Sequence, residues 1–145
     1  SVVAYLGGKV AIRAAMEEIQ NKEGRTATDD DKFIALQVAL EMVARGIKFL
    51  PVNVMKSDAT IFTIEDGNLR IPFSAVDSLG ESIAFDIVER RNEQPFTSKK
   101  DVLKRTRLSQ TLFENFNIMH AFGDLPDEDP EEEQGIFAFM WFCGK

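Results

Sequence analysis

The chain has 145 residues, of which 44% are hydrophobic, and it contains 12 Phe, so it can bury a substantial core and one domain with appendages is expected. Its formal net charge of −7 argues against a uniformly basic nucleic-acid-binding protein. No apolar run approaches the roughly 18 residues of a membrane-spanning helix, and no membrane partner is expected.

A pair of helices is predicted at the N-terminal end of the chain. The first helix is expected to end at Gly24. Thr28 followed by Asp31 fits a capping box at the start of the second helix, and Gly46 lies just past its end. The two apolar stripes are Ile12, Ala15, Met16 and Ile19 in the first helix, and Phe33, Leu36, Leu40 and Val43 in the second.

A small antiparallel β element is predicted after this pair. Pro51 stops helix formation, and Val52, Val54 and residues 60–64 have the β-branched and aromatic content of extended segments. Asp66-Gly67 is typical of a tight hairpin turn, which predicts a returning strand at residues 69–71. We expect this element to support its neighbours and to carry no chemistry.

Residues 71–105 form the stretch around which the chain is organised. An apolar segment runs into a polar turn at residues 77–80, and a helix follows with one buried stripe. After Pro95 a second helix begins at Ser98, where Asp101 completes a capping-box pattern. Ser109 starts another short helix, with Leu112, Phe113 and Phe116 facing inward. The buried stripe of the first helix consists of Ile83, Ala84, Ile87 and Val88.

Charge is distributed unevenly over the second half of the chain. Residues 89–107 contain seven basic and three acidic side chains, whereas residues 124–134 contain seven acidic side chains and no basic one. Screening over about 8–10 Å is expected to keep these two regions largely independent. Cations in the first turn of a helix oppose its dipole, and an anion bound there would reverse the effect. The sequence therefore predicts phosphate contacts from Lys99, Lys100, Lys104 and Arg107.

The other basic residues have structural alternatives. Arg90 and Arg91 end a helix, where cations are favourable in any case. Arg105 is expected to face Asp101 one helical turn earlier.

The turn at residues 77–80 resembles a helix-hairpin-helix, although Ser78 stands where that pattern usually has Gly. From about Lys9 to Pro126 the chain resembles the C-terminal part of a bacterial replicative DNA polymerase III α subunit of the PolC type. The segments that carry this resemblance occur in the expected order: Ala44-Arg45-Gly46, Leu50-Pro51, Ser57 to Ile64, the hairpin turn, and Phe96-Thr97-Ser98-Lys99.

The resemblance implies an α+β, mostly helical fold with a helix-hairpin-helix module, the small β element and the N-terminal helical pair. Residues 1–48 would be the end of a fingers-like region, residues 49–126 a duplex-binding domain, and residues 127–145 a solvated acidic linker with an apolar tail. Residues 107–123 would be a second, degenerate hairpin copy. The implied function is sequence-independent binding of duplex DNA through Ser78, Leu79, Gly80, Lys99, Lys100, Lys104 and Arg107.

The alternative function is that of a protein-interaction module. PolC-type chains end in a peptide that binds the sliding clamp, and Gln134, Ile136, Phe137 and Phe139 would take that role here. The tail could equally return to the core as a strand or helix. The partners implied by the resemblance are duplex DNA, the rest of the polymerase and the sliding clamp.

No catalytic constellation is apparent. His120 has no Cys or His neighbour at metal-ligand spacing, and residues 29–31, all Asp, are better explained as helix-start charge than as metal ligands. The resemblance implies that the catalytic carboxylates and the Mg²⁺ of the parent polymerase lie outside this chain. Cys143 is the single Cys, which excludes an internal disulfide and favours a reducing, cytoplasmic compartment. Because the chain begins without Met, we expect a piece of a longer protein.

Overall fold

The computed structural model describes residues 2–129, which form six α-helices and a three-stranded sheet. This confirms the predicted α+β, mostly helical class. The α-helices are α1 (Val2–Leu6), α2 (Gly8–Gln20), α3 (Ala27–Ala44), α4 (Glu81–Glu93), α5 (Lys99–Arg105) and α6 (Gln110–Ile118), and the strands are β1 (Phe49–Leu50), β2 (Thr63–Glu65) and β3 (Asn68–Arg70). A 3-10 turn spans Phe73–Ala75. None of the described helices is long and apolar enough to cross a membrane.

The predicted capping box of α3 was placed two residues too late. Thr26, not Thr28, is the N-cap, and its hydroxyl accepts a hydrogen bond from Asp29 N–H while the Asp29 carboxylate accepts from Thr26 N–H. Thr26 with Asp29 and Thr28 with Asp31 both fit the capping-box pattern. The Thr26–Asp29 pair is further stabilised by the ammonium group of Lys22, which lies 3.0 Å from the Asp29 carboxylate.

The predicted helical pair corresponds to α2 and α3. Helix α2 ends at Gln20, four residues before Gly24, and Gly24 lies in the following loop with φ +66°. Gly46 does terminate α3, as predicted. It has φ +88°, and Ile47 N–H donates to Met42 O in the bond of a Schellman motif.

The sheet is mixed, not purely antiparallel as predicted, and β3 is its central strand. Strand β2 pairs antiparallel with β3 through the Asp66-Gly67 turn, where both residues have positive φ. Strand β1 pairs parallel with the other edge of β3, with Phe49 opposite Leu69. Val52 and Val54 were predicted to be extended strands but lie buried in the connection between β1 and β2.

The buried guanidinium of Arg70 fixes the hairpin to this connection. It donates to both carboxylate oxygens of Glu65, at 2.5 and 2.8 Å, and to Pro51 O at 2.9 Å. These hydrogen bonds lower the pKa of Glu65.

The connection between β1 and β2 holds the hairpin module in place through Ser57, which is fully buried. The Ser57 hydroxyl accepts from Asn53 N–H at 2.9 Å and donates to Ile71 O at 2.7 Å. Arg91 of α4 donates to the carbonyls of Val54 and Ser57. The start and the end of the hairpin unit are therefore attached to the same loop.

One hydrophobic cluster includes residues from the N-terminal helices and from the hairpin module. The ring of Tyr5 in α1 lies 5.2 Å from that of Phe49 and 5.4 Å from that of Phe62. Phe73 stacks on Phe116 deeper in the same cluster. The predicted boundary at residue 48 thus crosses a shared core, and the division into three regions stays a prediction.

Candidate nucleic-acid interface

The hairpin turn keeps a left-handed residue although Gly is absent from that position. Ser78 has φ +68°, a conformation that residues with a Cβ adopt less readily than Gly. Leu79 is buried, and its N–H donates to Val76 O at 3.2 Å. Gly80 then takes an extended conformation as the N-cap of α4.

The start of α4 has no side-chain cap, because Gly80 carries no acceptor. The first amides of a helix have no acceptor within it, and they point outward from its positive end. Since the Leu79 N–H is already used within the turn, the donors open to an anion are those from Gly80 onward. Gly80 is also exposed, as a phosphate contact would require.

A second turn with a buried Leu directly before the N-cap precedes α6. Leu108 is buried like Leu79, and Ser109 is the N-cap with φ −72° and ψ 162°, against −72° and 159° for Gly80. Unlike Gly80, Ser109 caps its own helix, because its hydroxyl accepts from Leu112 N–H. The left-handed conformation of Ser78 has no counterpart at Arg107, which is not among the residues with positive φ, and the second hairpin copy stays a prediction.

Arg107 lies in this second turn and reaches the first turn of α4. Its guanidinium donates to Ser82 O at 3.2 Å, and its backbone N–H donates to the Asp86 carboxylate at 2.8 Å. The Arg107 guanidinium also lies 4.0 Å from the Asp86 carboxylate, but the side chain of Arg107 is 64% exposed. Arg107 is therefore the predicted cation that the fold places beside the hairpin turn.

The three predicted lysines form a separate group on α5. Lys100 and Lys104 are exposed and line a small cleft. Lys99 is only 25% exposed, and its ammonium lies 5.9 Å from the centre of the Phe122 ring. The turn at residues 78–80 lines a different cleft, so the lysines and the turn do not share one concave surface.

The cleft beside the turn has a volume of about 730 Å³ and contains more negative than positive charge. Asp77 and Glu81 line it from the hairpin side, and Asp31 and Lys32 from the first turns of α3. Phosphate would be repelled on this side. The exposed side of the turn nearest Arg107 is electrostatically the better approach.

The remaining basic residues of residues 89–107 stabilise the fold. Arg90 pairs with Asp86 and Glu93, and the Glu93 carboxylate is the main cause of its raised pKa. Burial against the β1–β2 connection lowers the pKa of Arg91. Arg105 pairs with Asp101 at 3.1 Å, as predicted.

The acidic region does not lie apart from the basic one. The Asp127 carboxylate is 3.2 Å from the Lys99 ammonium, and that of Glu128 is 3.8 Å from Lys100. The expectation of electrostatic independence is therefore wrong, because the chain folds back over α5. Residues 127–129 belong to the predicted solvated linker, and although the side chains of Asp127 and Glu128 are 87% and 78% exposed, they pair with lysines of α5.

The predicted clamp-binding residues Gln134, Ile136, Phe137 and Phe139 lie outside the described residues. Within residues 2–129, no three His, Cys, Asp or Glu side chains gather as metal ligands would.

Sequence reasoning missed the contact of Arg107 with the first turn of α4. The signal that could have found it is the repeated polar-Leu-N-cap pattern at residues 78–80 and 107–109.

Comparison with known proteins identifies the fold family. Residues 46–129 match a family model described as a helix-hairpin-helix motif. The chain is 40% identical, over 88% of its length, to the DNA polymerase III PolC-type of Thermotoga maritima and to that of Lacticaseibacillus paracasei. It is 38% identical over 84% of its length to that of Streptococcus agalactiae.

These alignments confirm the resemblance predicted from the sequence, and they also define its extent. The chain spans 9% of the length of the first two relatives and 8% of the third. With 84 of its 145 residues matched by the family model, the chain belongs to the helix-hairpin-helix motif family.

Proposed function

We propose that this chain binds the backbone of duplex DNA without sequence preference, as a non-catalytic part of a PolC-type replicative polymerase. The observation that carries the proposal is the exposed Gly80 N-cap of α4 with Arg107 beside it. Backbone amides and a guanidinium are suited to phosphate oxygens and carry no base information. Binding should then depend steeply on salt.

The basic contribution comes from two places on the same module. Arg107 would contact phosphate next to the hairpin turn, and Lys104 would contact it from α5 together with Lys99 and Lys100. Lys104 makes no ion pair with any described residue. On this proposal the Mg²⁺-dependent chemistry of the parent polymerase takes place outside this chain.

The test is a titration of labelled random-sequence duplex with the full chain at several salt concentrations. Lys104→Gln/Arg107→Gln should weaken binding and reduce the slope of log K against log salt by about 2, since each phosphate contact contributes roughly 0.9. The matched control is Lys9→Gln/Arg13→Gln, which removes two exposed cations from α2.

The control should bind like the parent chain. Equal effects of the two double variants would mean that only net charge matters and would remove the proposed site. Absence of binding by the parent chain even at low salt would contradict the function itself. A clear preference for one duplex sequence would contradict backbone recognition.

A further inference from the structure

The chain covers the first turn of α5 with its own acidic segment. Lys99 N–H donates to Pro126 O at 2.8 Å, and Lys100 N–H donates to Asp127 O at 3.2 Å. Amides at the start of a helix have no partner within it. Here, main-chain carbonyls already occupy two of them.

The side chains of the same segment occupy the neighbouring donors. Asp127 pairs with Lys99 and Glu128 with Lys100, while the Thr97 hydroxyl donates to the Asp129 carboxylate at 3.3 Å. Glu128 and Asp129 also line the cleft that contains Lys104. Three consecutive carboxylates thus lie where phosphates of a nucleic acid would meet the α5 lysines.

The covering contact is weak enough to be displaced. The side chains of Asp127 and Glu128 are 87% and 78% exposed, and ion pairs in such surroundings contribute only about 0–1 kcal/mol each. A polyanion that offers several phosphates at once could therefore replace the carboxylates. The carbonyl hydrogen bonds could remain while the side chains turn away.

We propose that residues 127–129, the acidic strap, form an autoinhibitory contact that competes with DNA phosphates for Lys99 and Lys100. The proposal rests on the function proposed above and adds a means of regulating it. The strap neutralises these two lysines until duplex DNA displaces it, so the parent chain exchanges carboxylates for phosphates at these positions with little net release of counterions.

The test compares duplex binding by the full chain and by the strap-neutral variant Asp127→Asn/Glu128→Gln/Asp129→Asn. Release of two lysines should steepen the slope of log K against log salt by about 2, so that raising salt from about 50 to 200 mM weakens the variant roughly tenfold more than the parent. At low salt the variant should bind more tightly. The matched control, Glu17→Gln/Glu18→Gln/Glu23→Gln, makes the same charge change at exposed positions of α2 and its following loop.

A second pair of variants assigns the gain to the lysines. Adding Lys99→Gln/Lys100→Gln should abolish the gain of the strap-neutral variant, and it should weaken the parent chain by less than it weakens that variant, because in the parent chain the strap competes with phosphate for these lysines. A gain no larger than that of the control, or one that survives loss of the lysines, would overturn the inference and leave the proposed function intact. If neither the parent nor the strap-neutral variant binds duplex, both fail.

Discussion

The Asp29 carboxylate accepts several hydrogen bonds at the start of α3. Its carboxylate accepts hydrogen bonds from the backbone N–H and hydroxyl of Thr26, both at 3.0 Å, and from the ammonium of Lys22. These bonds, that of the Thr26 backbone first, lower the pKa of Asp29 from 3.8 to about 2. Its charged form therefore stabilises the folded state.

This arrangement predicts a specific dependence of stability on pH. Because the folded-state pKa lies below the ordinary value, the stabilisation is complete above about pH 4 and is lost as the pH falls through about 2. Urea unfolding of the parent chain and of Asp29→Asn across this range should show the two free energies converging at low pH. A difference that stays constant with pH would contradict the assignment.

At the scale of single residues the sequence predicts the site well where the pattern is local. The polar turn, the buried Leu79 and the helix that follows all correspond to its spacing of apolar residues. The sequence does not reveal that Ser78 retains φ +68°. Serine has no preference for that conformation, and in this turn it lies between the buried Val76 and Leu79.

Helices α4 and α5 are joined by Arg105 rather than by a large apolar contact alone. Its guanidinium donates to Arg90 O at 2.7 Å and Gln94 O at 2.9 Å at the end of α4. It also pairs with Asp101 and lies 5.0 Å from the centre of the Phe96 ring. The Arg105 side chain, which belongs to α5, thus reaches back across the turn and caps the end of α4.

We expect Arg105→Ala to lower the free energy of unfolding by at least about 2 kcal/mol, since a single hydrogen bond to a charged group contributes roughly 1.5–3. Arg105→Lys should recover only part of this, because an ammonium lacks the planar arrangement of donors. The neighbouring Lys104→Ala should change stability by less than about 0.5 kcal/mol. Thermal unfolding checks all three, and equal effects at positions 104 and 105 would contradict the structural role of Arg105.

Elements were predictable in proportion to their length and periodicity. The stripes of α2 and α4 repeat over three turns and predict their helices directly. Helix α1 has five residues and β1 has two, too few for any period to appear. The parallel pairing of β1 with β3 arises from packing of distant residues and leaves no local mark.

The whole described chain is built on one apolar cluster, and this has a thermodynamic consequence. Phe49 contacts Tyr5 of α1 and Phe62 before β2, at ring distances of 5.2 and 5.7 Å. Phe49→Ala should lower the free energy of unfolding by roughly 2–3 kcal/mol, since Phe→Ala in a core costs about 3–5 and this ring is partly exposed. Calorimetry should show one transition, shifted downward. Two separate transitions would contradict a shared core.

At the scale of the whole molecule, the sequence shows which regions are basic and which are acidic, but it does not show where the fold places them relative to each other. The sequence separates a basic region from an acidic one by more than a Debye length of extended chain. The fold cancels that separation, because Pro126 lies against the first turn of α5. The net charge of the chain and the charge of a single sequence segment therefore do not show which basic side chains are free to contact other molecules.

The central position of β3 bears on the order in which the chain assembles. The Asp66-Gly67 corner lets β2 and β3 meet at once, because only two residues separate them. Phe49 pairs with Leu69 only after the whole intervening segment has closed into a loop. Closing a longer loop costs more conformational entropy and is therefore slower. A hairpin of β2 and β3 is therefore expected to form before β1 pairs with β3, and Ser57 lies within the segment that must close for this third strand to join.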